Sequence, residues 1–375
     1  MIYFDNAATT PMSEVAIEAL ISVSKENFGN ASSIYSYGKK SRKLLDESRK
    51  IIANCIGAEP EEIYFTSGGT ESDNWAVEQV ACHNIEHIIT SQVEHHAILN
   101  PVKKLEEKGV KATYLPVNSE CIIDLNALQN ELDGKVKFVT LMYQNNETGV
   151  IQAIKEAARL VHEDNHSSIF HTDAVQAVGH TRINVKELGV DMLSASAHKF
   201  NGPKGIGFLY VKRGLNICPF IAGGGQEFGL RSGTENVAGI FAMAKALEEN
   251  LSEMDEIESR IMRLENRFFE GLEKNDIEYL VNGAKEKRAL GVINLSLKNI
   301  DAEGLLNVLD IHQIAISIGS ACNSKTKEPS YVLLAMDLDE KRVESAVRVS
   351  IGKYNSQDEI EALVNNIRNY YKLVN

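Results

Sequence analysis

Residues 194–211 read SASAHKFNGPKGIGFLYV. An apolar run, 191–195, ends on a polar cluster in which Lys199 is hemmed in by Ser196, His198 and Gly202; a second apolar run, 207–211, follows. Short apolar runs bounded by turn residues read as strands buried on both faces. The same character recurs in EIYFTS (62–67), HIITS (87–91), KVKFVTLM (135–142), SSIFHTD (167–173) and DMLSAS (191–196). Between them, 70–81, 95–108 and 153–164 read as helices, and 174–179 as a helix or helical turn. Strand and helix in alternation imply βαβ units and a mainly parallel sheet. The binding crevice of such a sheet lies at the carboxyl ends of its strands. Lys199 therefore arrives where a ligand would sit.

The chain has 375 residues, 43% hydrophobic and 24% charged, which is ordinary for a globular protein of roughly two domains. Its formal net charge of -13 argues against nucleic-acid or anionic-membrane binding, since both need basic surface. The opening MIYFDNAATTP has neither the basic nor the apolar region of a signal peptide, and no run is long enough to span a bilayer. Five cysteines, an odd number without a C-x-x-C, lead us to expect a reducing, cytoplasmic setting with neither a disulfide framework nor a zinc cage. From 235 to 275 the pattern is one long helical region, broken near 252–255, without the sustained heptad of a coiled coil. It leads to a smaller C-terminal domain with strands GVINLSL (291–297), IAISI (314–318) and AVRVSI (346–351) and helices at 302–309 and 358–372. The expected division is an N-terminal segment 1–15 packing with the small domain, a large domain 16–250, and a small domain 251–375 carrying Cys322.

FTSGGTES (65–72) sets glycines between a strand and a helix, where free backbone N–H groups and the helix dipole suit an anion. The residues alone leave open a plain strand–helix turn capped by Thr70. The loop fits neither the dinucleotide nor the nucleoside-triphosphate pattern. Asp173 closes its strand; it reads either as a helix cap or as a buried carboxylate that keeps a heterocyclic nitrogen protonated. Lys199, in a polar-lined crevice, can lose its proton and form an imine with an aldehyde. Imine-forming lysine, carboxylate and anion site are the set that pyridoxal phosphate requires. Ser196 and His198 can donate to the same phosphate, whereas Lys204 reads as a solvated loop charge. Cys322 sits in ISIGSACNSKTKEPS (316–330), among small and polar residues with Lys325 and Lys327 nearby. It reads as a mobile nucleophile or, more blandly, as an incidental surface thiol. The other four cysteines lie in apolar or amphipathic contexts and read as buried structural thiols.

Nine ordered motifs, YFDNAATTP, FTSGGTESDN, EHHA, NNETG, HTDAVQ, SAHKFNGPKGIG, GGGQEFGLRSGTEN, SIGSACNS and VRVSIG, together resemble the pyridoxal-phosphate-dependent cysteine desulfurases of the IscS/NifS type, class-V aminotransferase-like enzymes. The resemblance runs nearly end to end. It implies the fold type I architecture of pyridoxal-phosphate-dependent transferases: a large domain with a mainly parallel seven-stranded sheet flanked by helices, and a smaller α+β C-terminal domain. It also implies a homodimer with active sites at the subunit interface. Residue by residue, it makes Lys199 the imine-forming lysine, Asp173 the partner of the pyridinium nitrogen and Gln176 that of the ring oxygen. His95 would stack on the ring and move protons. Gly69, Thr70, Ser196 and His198 would hold the phosphate, and Thr234 would reach the phosphate of the partner subunit. Asn146 and Arg348 would hold the substrate carboxylate, and Cys322 would take the sulfur as a persulfide.

The implied activity is conversion of L-cysteine to L-alanine, the sulfur passing from Cys322 to an acceptor protein for iron–sulfur cluster or thio-cofactor synthesis. Selenocysteine lyase and aminotransferase chemistry on the same fold are the alternatives. The chain departs from the family at NASSIYSYG (30–38), where Ala31 and Tyr35 replace a usual proline and histidine, and at Gly69, where alanine is common. The glycine is expected to leave backbone anion binding unharmed. Some members carry a longer C-terminal tail that contacts an iron–sulfur scaffold; the sequence stops at Asn375, soon after its last helix, which weakens the expectation of that docking mode.

Overall fold

The computed structural model describes residues 1–319 and 329–375. Its main sheet has seven strands in the order Ile63–Thr66, Gly207–Val211, Met192–Ser196, Ile169–Asp173, Phe138–Thr140, His87–Ser91 and Lys111–Leu115. Only Gly207–Val211 runs against its neighbours. The six apolar runs read from the sequence are all strands; the seventh, KATYL, is a half-buried edge strand whose pattern is too weak to stand out.

Alternate residues along these strands face opposite sides. Phe170, Leu193 and Phe208 join one core with the helices Glu14–Glu26, Ser36–Ile56, Ile154–Asp164 and Val237–Ser252. Ile169, Met192 and Leu209 join a second core beneath the helices Gly69–Cys82 and His96–Glu106. Apolar layers on both faces explain why the central strands read as unbroken runs rather than as alternations. Residues 174–179 form turns, with Val178 N–H donating to Ala174 O. The long helical region is two helices, Val237–Ser252 and Met254–Lys274, broken at Glu253 (φ -97°, ψ 3°).

A separate core gathers around the antiparallel strands Tyr279–Val281, Val292–Leu297 and Ala346–Ser350, packed by the Met254–Lys274 and Gln357–Val374 helices. The N-terminus belongs to this core. Ile2 and Tyr3 pair in parallel with Ile314 and Ala315, and Phe4 is fully buried in it. The chain then crosses to the mouth of the main sheet, and this crossing builds one wall of the site.

Phe4→Ala should therefore cost about 3–5 kcal/mol, the usual range for emptying a buried aromatic site. Denaturant unfolding should show it as a lowered midpoint; an unchanged midpoint would mean that the N-terminal strand contributes nothing to the second core.

Candidate active site

Lys199 emerges from the buried Met192–Ser196 strand through a single 3-10 turn, Ala197–Lys199, closed by Phe200 N–H donating to Ala197 O. Thr10 fixes this turn from outside: its N–H and Oγ1–H both donate to His198 O, and its Oγ1 accepts from Asn201 N–H. His180 Nε2–H donates to Lys199 O at 2.7 Å. The Lys199 ammonium donates to Ala7 O at 2.7 Å and Ala8 O at 2.9 Å, so two carbonyls of the crossing N-terminal segment solvate its charge.

Around the ammonium lies a cavity of about 240 Å³. Asp173 lines it from the end of the adjacent strand, with Val175 N–H donating to Oδ1. Burial pushes the Asp173 carboxyl up to about 6; the Val175 amide and the Lys199 charge pull the other way. A cationic ring nitrogen opposite it would favour the carboxylate. Gln176 donates from Nε2 to Ala7 O and lines the same cavity.

His95 caps the His96–Glu106 helix, its Nδ1 accepting from Ala97 N–H at 3.1 Å. Burial, then the Lys199 charge, pushes its imidazole down to about 4, so at neutral pH the ring is uncharged with its proton on Nε2. His198, whose Nδ1 is 3.1 Å from Thr9 Oγ1, is likewise pushed down to about 4 by burial and by Lys199.

The anion end is the start of the Gly69–Cys82 helix, where Gly69 and Thr70 line the cavity with Ser196 and His198. Close approach dictates two glycines here. Gly68 has φ +150°, and a Cβ on Gly207 would lie 2.8 Å from Gly68 Cα. Gly69 is also constrained: a Cβ there would meet Val175 Cγ2 at 2.5 Å. Alanine at this position would require Val175 to move, a packing demand that the sequence does not reveal.

From the second core, Arg348 enters the same cavity on the Ala346–Ser350 strand and is 1% exposed. Its Nη1 donates to Asn146 O at 2.9 Å and its Nη2 to Asp5 Oδ1 at 2.6 Å. Four cavity-lining residues carry a buried polar atom without a hydrogen-bond partner among the described residues: Arg348 Nε, Asn146 Oδ1, Gln144 Oε1 and Asp73 Oδ1. Unsatisfied donors and acceptors converging on one pocket fit a polar ligand rather than an apolar one. Helix N-terminus, amine, buried carboxylate and guanidinium together fit pyridoxal phosphate with an amino acid beside it.

A polar layer that local sequence does not reveal adjoins this pocket and reaches its lining at Asp73. His171 is fully buried, its Nδ1 2.8 Å from Thr140 Oγ1 and its Nε2 2.9 Å from Ser194 Oγ. Asp73 Oδ1 lies 3.8 Å from His171 Nε2. Burial, reinforced by the nearby Asp173 charge, holds the Asp73 carboxyl well above the usual carboxylate range. Glu94, accepting from Ser91 Oγ and Met142 N–H, is pushed up to about 8 by burial. In sequence these are an ordinary helical aspartate and a glutamate before a histidine; only their burial marks them.

One predicted residue that the structure describes is not in the cavity. Thr234 lines a separate surface depression with residues 27–31. Cys322 lies outside the described residues. The expectation of four buried free thiols needs correction. Cys121 is buried and Cys55 half-buried, and burial pushes both up to about 12. Cys82 is exposed and is joined to Cys218 by a disulfide. The odd cysteine count and wide spacing hid a pair that folding brings together across 136 residues.

The chain matches the aminotransferase class-V family over residues 2–363. It is 43% identical over 366 residues to a cysteine desulfurase IscS of Methanosarcina thermophila, an alignment covering 97% of this chain and 90% of that relative. Among solved structures it resembles a NifS-like protein with a TM-score of 0.93 and 35% identity, covering 99% of each chain. It also resembles SspA in complex with cysteine, with a TM-score of 0.84 and 32% identity, covering 95% of this chain and 100% of that one.

The depressed imidazoles have a signed consequence for stability. Between pH 6.5 and 4 the unfolded chain takes up protons that folded His95 and His198 refuse, so their contribution to stability is present above about 6.5 and is lost as pH falls through about 4. NMR titration should find both rings neutral down to about 4; a midpoint near 6.5 for His95 would contradict its burial.

Proposed function

Because the chain belongs to the aminotransferase class-V family, we propose that it is a cysteine desulfurase, converting L-cysteine to L-alanine and carrying the sulfur as a persulfide. The carrying observation is the convergence of Lys199, Asp173, His95 and Arg348 on one cavity, in whose lining Arg348 Nε, Asn146 Oδ1, Gln144 Oε1 and Asp73 Oδ1 have no hydrogen-bond partner among the described residues. Relatives named cysteine desulfurase match over nearly the whole length.

Pyridoxal phosphate, when bound, supplies an electrophilic carbonyl and an electron sink for the substrate's α-carbon. The chain's own residues divide the remaining work. The N–H groups at Gly69 and Thr70, with Ser196 and His198, hold the phosphate at the helix N-terminus. Asp173 holds a proton on the ring nitrogen by its charge, and Gln176 orients the ring oxygen. Arg348 and Asn146 bind the substrate carboxylate and so fix which bond at the α-carbon faces Lys199. Lys199 Nζ, as the free amine, removes the α-proton; neutral His95 exchanges a proton through Nε2. Cys322 Sγ accepts the substrate sulfur, so that cysteine and one protein thiol become alanine and one protein persulfide. A sulfur-acceptor protein of the cytoplasm then receives it.

A second copy of the chain completes this reading. Phe28, Ile34 and Tyr35 are apolar yet 75%, 88% and 58% exposed, and Thr234 shares a depression with residues 27–31 beside them. A homodimer would cover this face and carry Thr234 toward the partner's phosphate. The proposed division at residue 250 leaves Arg348 on the smaller unit and Lys199 on the larger, so the site lies between them. No described helix is long and apolar enough to cross a membrane.

The deciding test is mass spectrometry after incubation with L-cysteine, with one added sulfur expected on the Cys322 peptide and alanine in solution. Amino transfer to a keto acid without sulfur release would favour an aminotransferase instead. Cys322→Ala should keep the bound pigment and lose turnover by roughly a thousandfold; brisk sulfide release by that variant would overturn the nucleophile assignment. Arg348→Lys replaces a bidentate fork with a point charge and should raise KM on the order of tenfold with a smaller change in kcat.

A further inference from the structure

The disulfide lies at the far end of the helix that begins at the anion site. Gly69–Cys82 opens with Gly69 and Thr70 in the cavity and closes with Cys82 at the surface. Its partner Cys218 follows the Gly207–Val211 strand, on the segment leading toward Thr234. The two Cα atoms are 6.4 Å apart, within bridging range.

Contacts other than the sulfurs set that separation. Gln79 Oε1 accepts from Cys218 N–H at 2.7 Å, and Trp75 Nε1–H donates to Cys218 O at 2.9 Å. Gln79 is itself tied by its Nε2 to Trp75 O. Trp75 is fully buried and stacks on Phe220, two residues beyond Cys218. Two side chains of the helix thus grip the backbone of Cys218 whether or not the sulfurs are joined. Cys82 is exposed, so small molecules reach it. His83 completes the cluster: one donor atom from each of Cys82, His83 and Cys218 lies within 4.8 Å of the others, and His83 Nε2 is buried without a hydrogen-bond partner among the described residues.

We propose that Cys82 and Cys218 are a redox modification site: a disulfide that small-molecule thiols open through exposed Cys82 and that re-forms in the folded protein because the Gln79–Trp75 grip keeps the two thiols together. The chemistry balances with a low-molecular-weight disulfide, RSSR, as oxidant. The Cys82 thiolate attacks RSSR and expels RS⁻. The Cys218 thiolate then attacks Cys82 Sγ in the mixed disulfide and expels the second RS⁻. The protein pair loses two electrons and two protons, and RSSR becomes two RSH. The His83 ring lies beside the pair, close enough to take part in proton transfer. Closure is intramolecular between held groups, so it is favoured over mixed-disulfide formation by a high effective concentration.

The experiment equilibrates the folded, cofactor-loaded protein in buffers of varied reduced-to-oxidised glutathione ratio, quenches with an alkylating reagent and maps the peptides by mass. Cys82 and Cys218 should convert together and reversibly, reaching one midpoint from either direction. Gln79→Met keeps the volume but loses the grip, and should shift the half-conversion ratio about tenfold toward the reduced form, the equivalent of one ordinary hydrogen bond. His83→Gln should slow exchange severalfold and leave the midpoint unmoved. Independent alkylation of the two cysteines at every ratio would overturn the proposal, as would a disulfide that opens only in denaturant. One equivalent of zinc in the purified protein, lost in Cys82→Ser, would overturn it in favour of a metal site made by the same three residues.

Discussion

A half-buried ammonium must be solvated by something, and here the chain contributes carbonyls from its own beginning. Lys199 donates to the carbonyls of Ala7 and Ala8, and Gln176 shares the Ala7 carbonyl. These bonds draw the N-terminal segment across the carboxyl ends of the parallel strands. Because Ile2, Tyr3 and Phe4 are built into the second core, the same segment ties the two cores together at the catalytic cleft. Asp5 extends the link by accepting from Arg348 at 2.6 Å. The Lys199 and Arg348 ends of the cavity are therefore linked through one short N-terminal segment that turns at residues 6–8.

The electrostatics follow from the same burial. A dry pocket raises carboxyls and lowers imidazoles, since each then favours its uncharged form. Asp173, Asp73 and Glu94 move up, and His95, His198 and His171 move down. The positive charge of Lys199 adds to the effect on His95 and His198 and partly offsets it on Asp173. The result is a pocket in which each of these groups favours its uncharged form more than it would in water.

The described cysteines are set apart by physical environment. Cys55 and Cys121 are pushed up to about 12 by burial and stay protonated, while Cys82 and Cys218 are bonded to each other. Burial thus silences two thiols, whereas the Cys82–Cys218 pair, exposed at Cys82, keeps the exchange chemistry of a disulfide.

The amino-acid sequence by itself determined the layered α/β architecture, because central strands covered on both faces must be apolar at every position. It also placed the lysine, the aspartate and the glycine-rich loop close to strand ends, where local pattern fixes their position. The edge strand 111–115, half exposed, left too faint a pattern to read. Only the tertiary structure decided what depends on distant segments meeting. It buried Asp73, Glu94 and His171 in a layer adjoining the pocket, set Val175 where a Cβ on Gly69 would fall, and left Thr234 outside the cavity. It also joined Cys82 to Cys218, since the grip of Trp75 and Gln79 on a remote backbone has no trace in either local sequence. Periodicity records which face of an element is dry; it does not record which other element dries it.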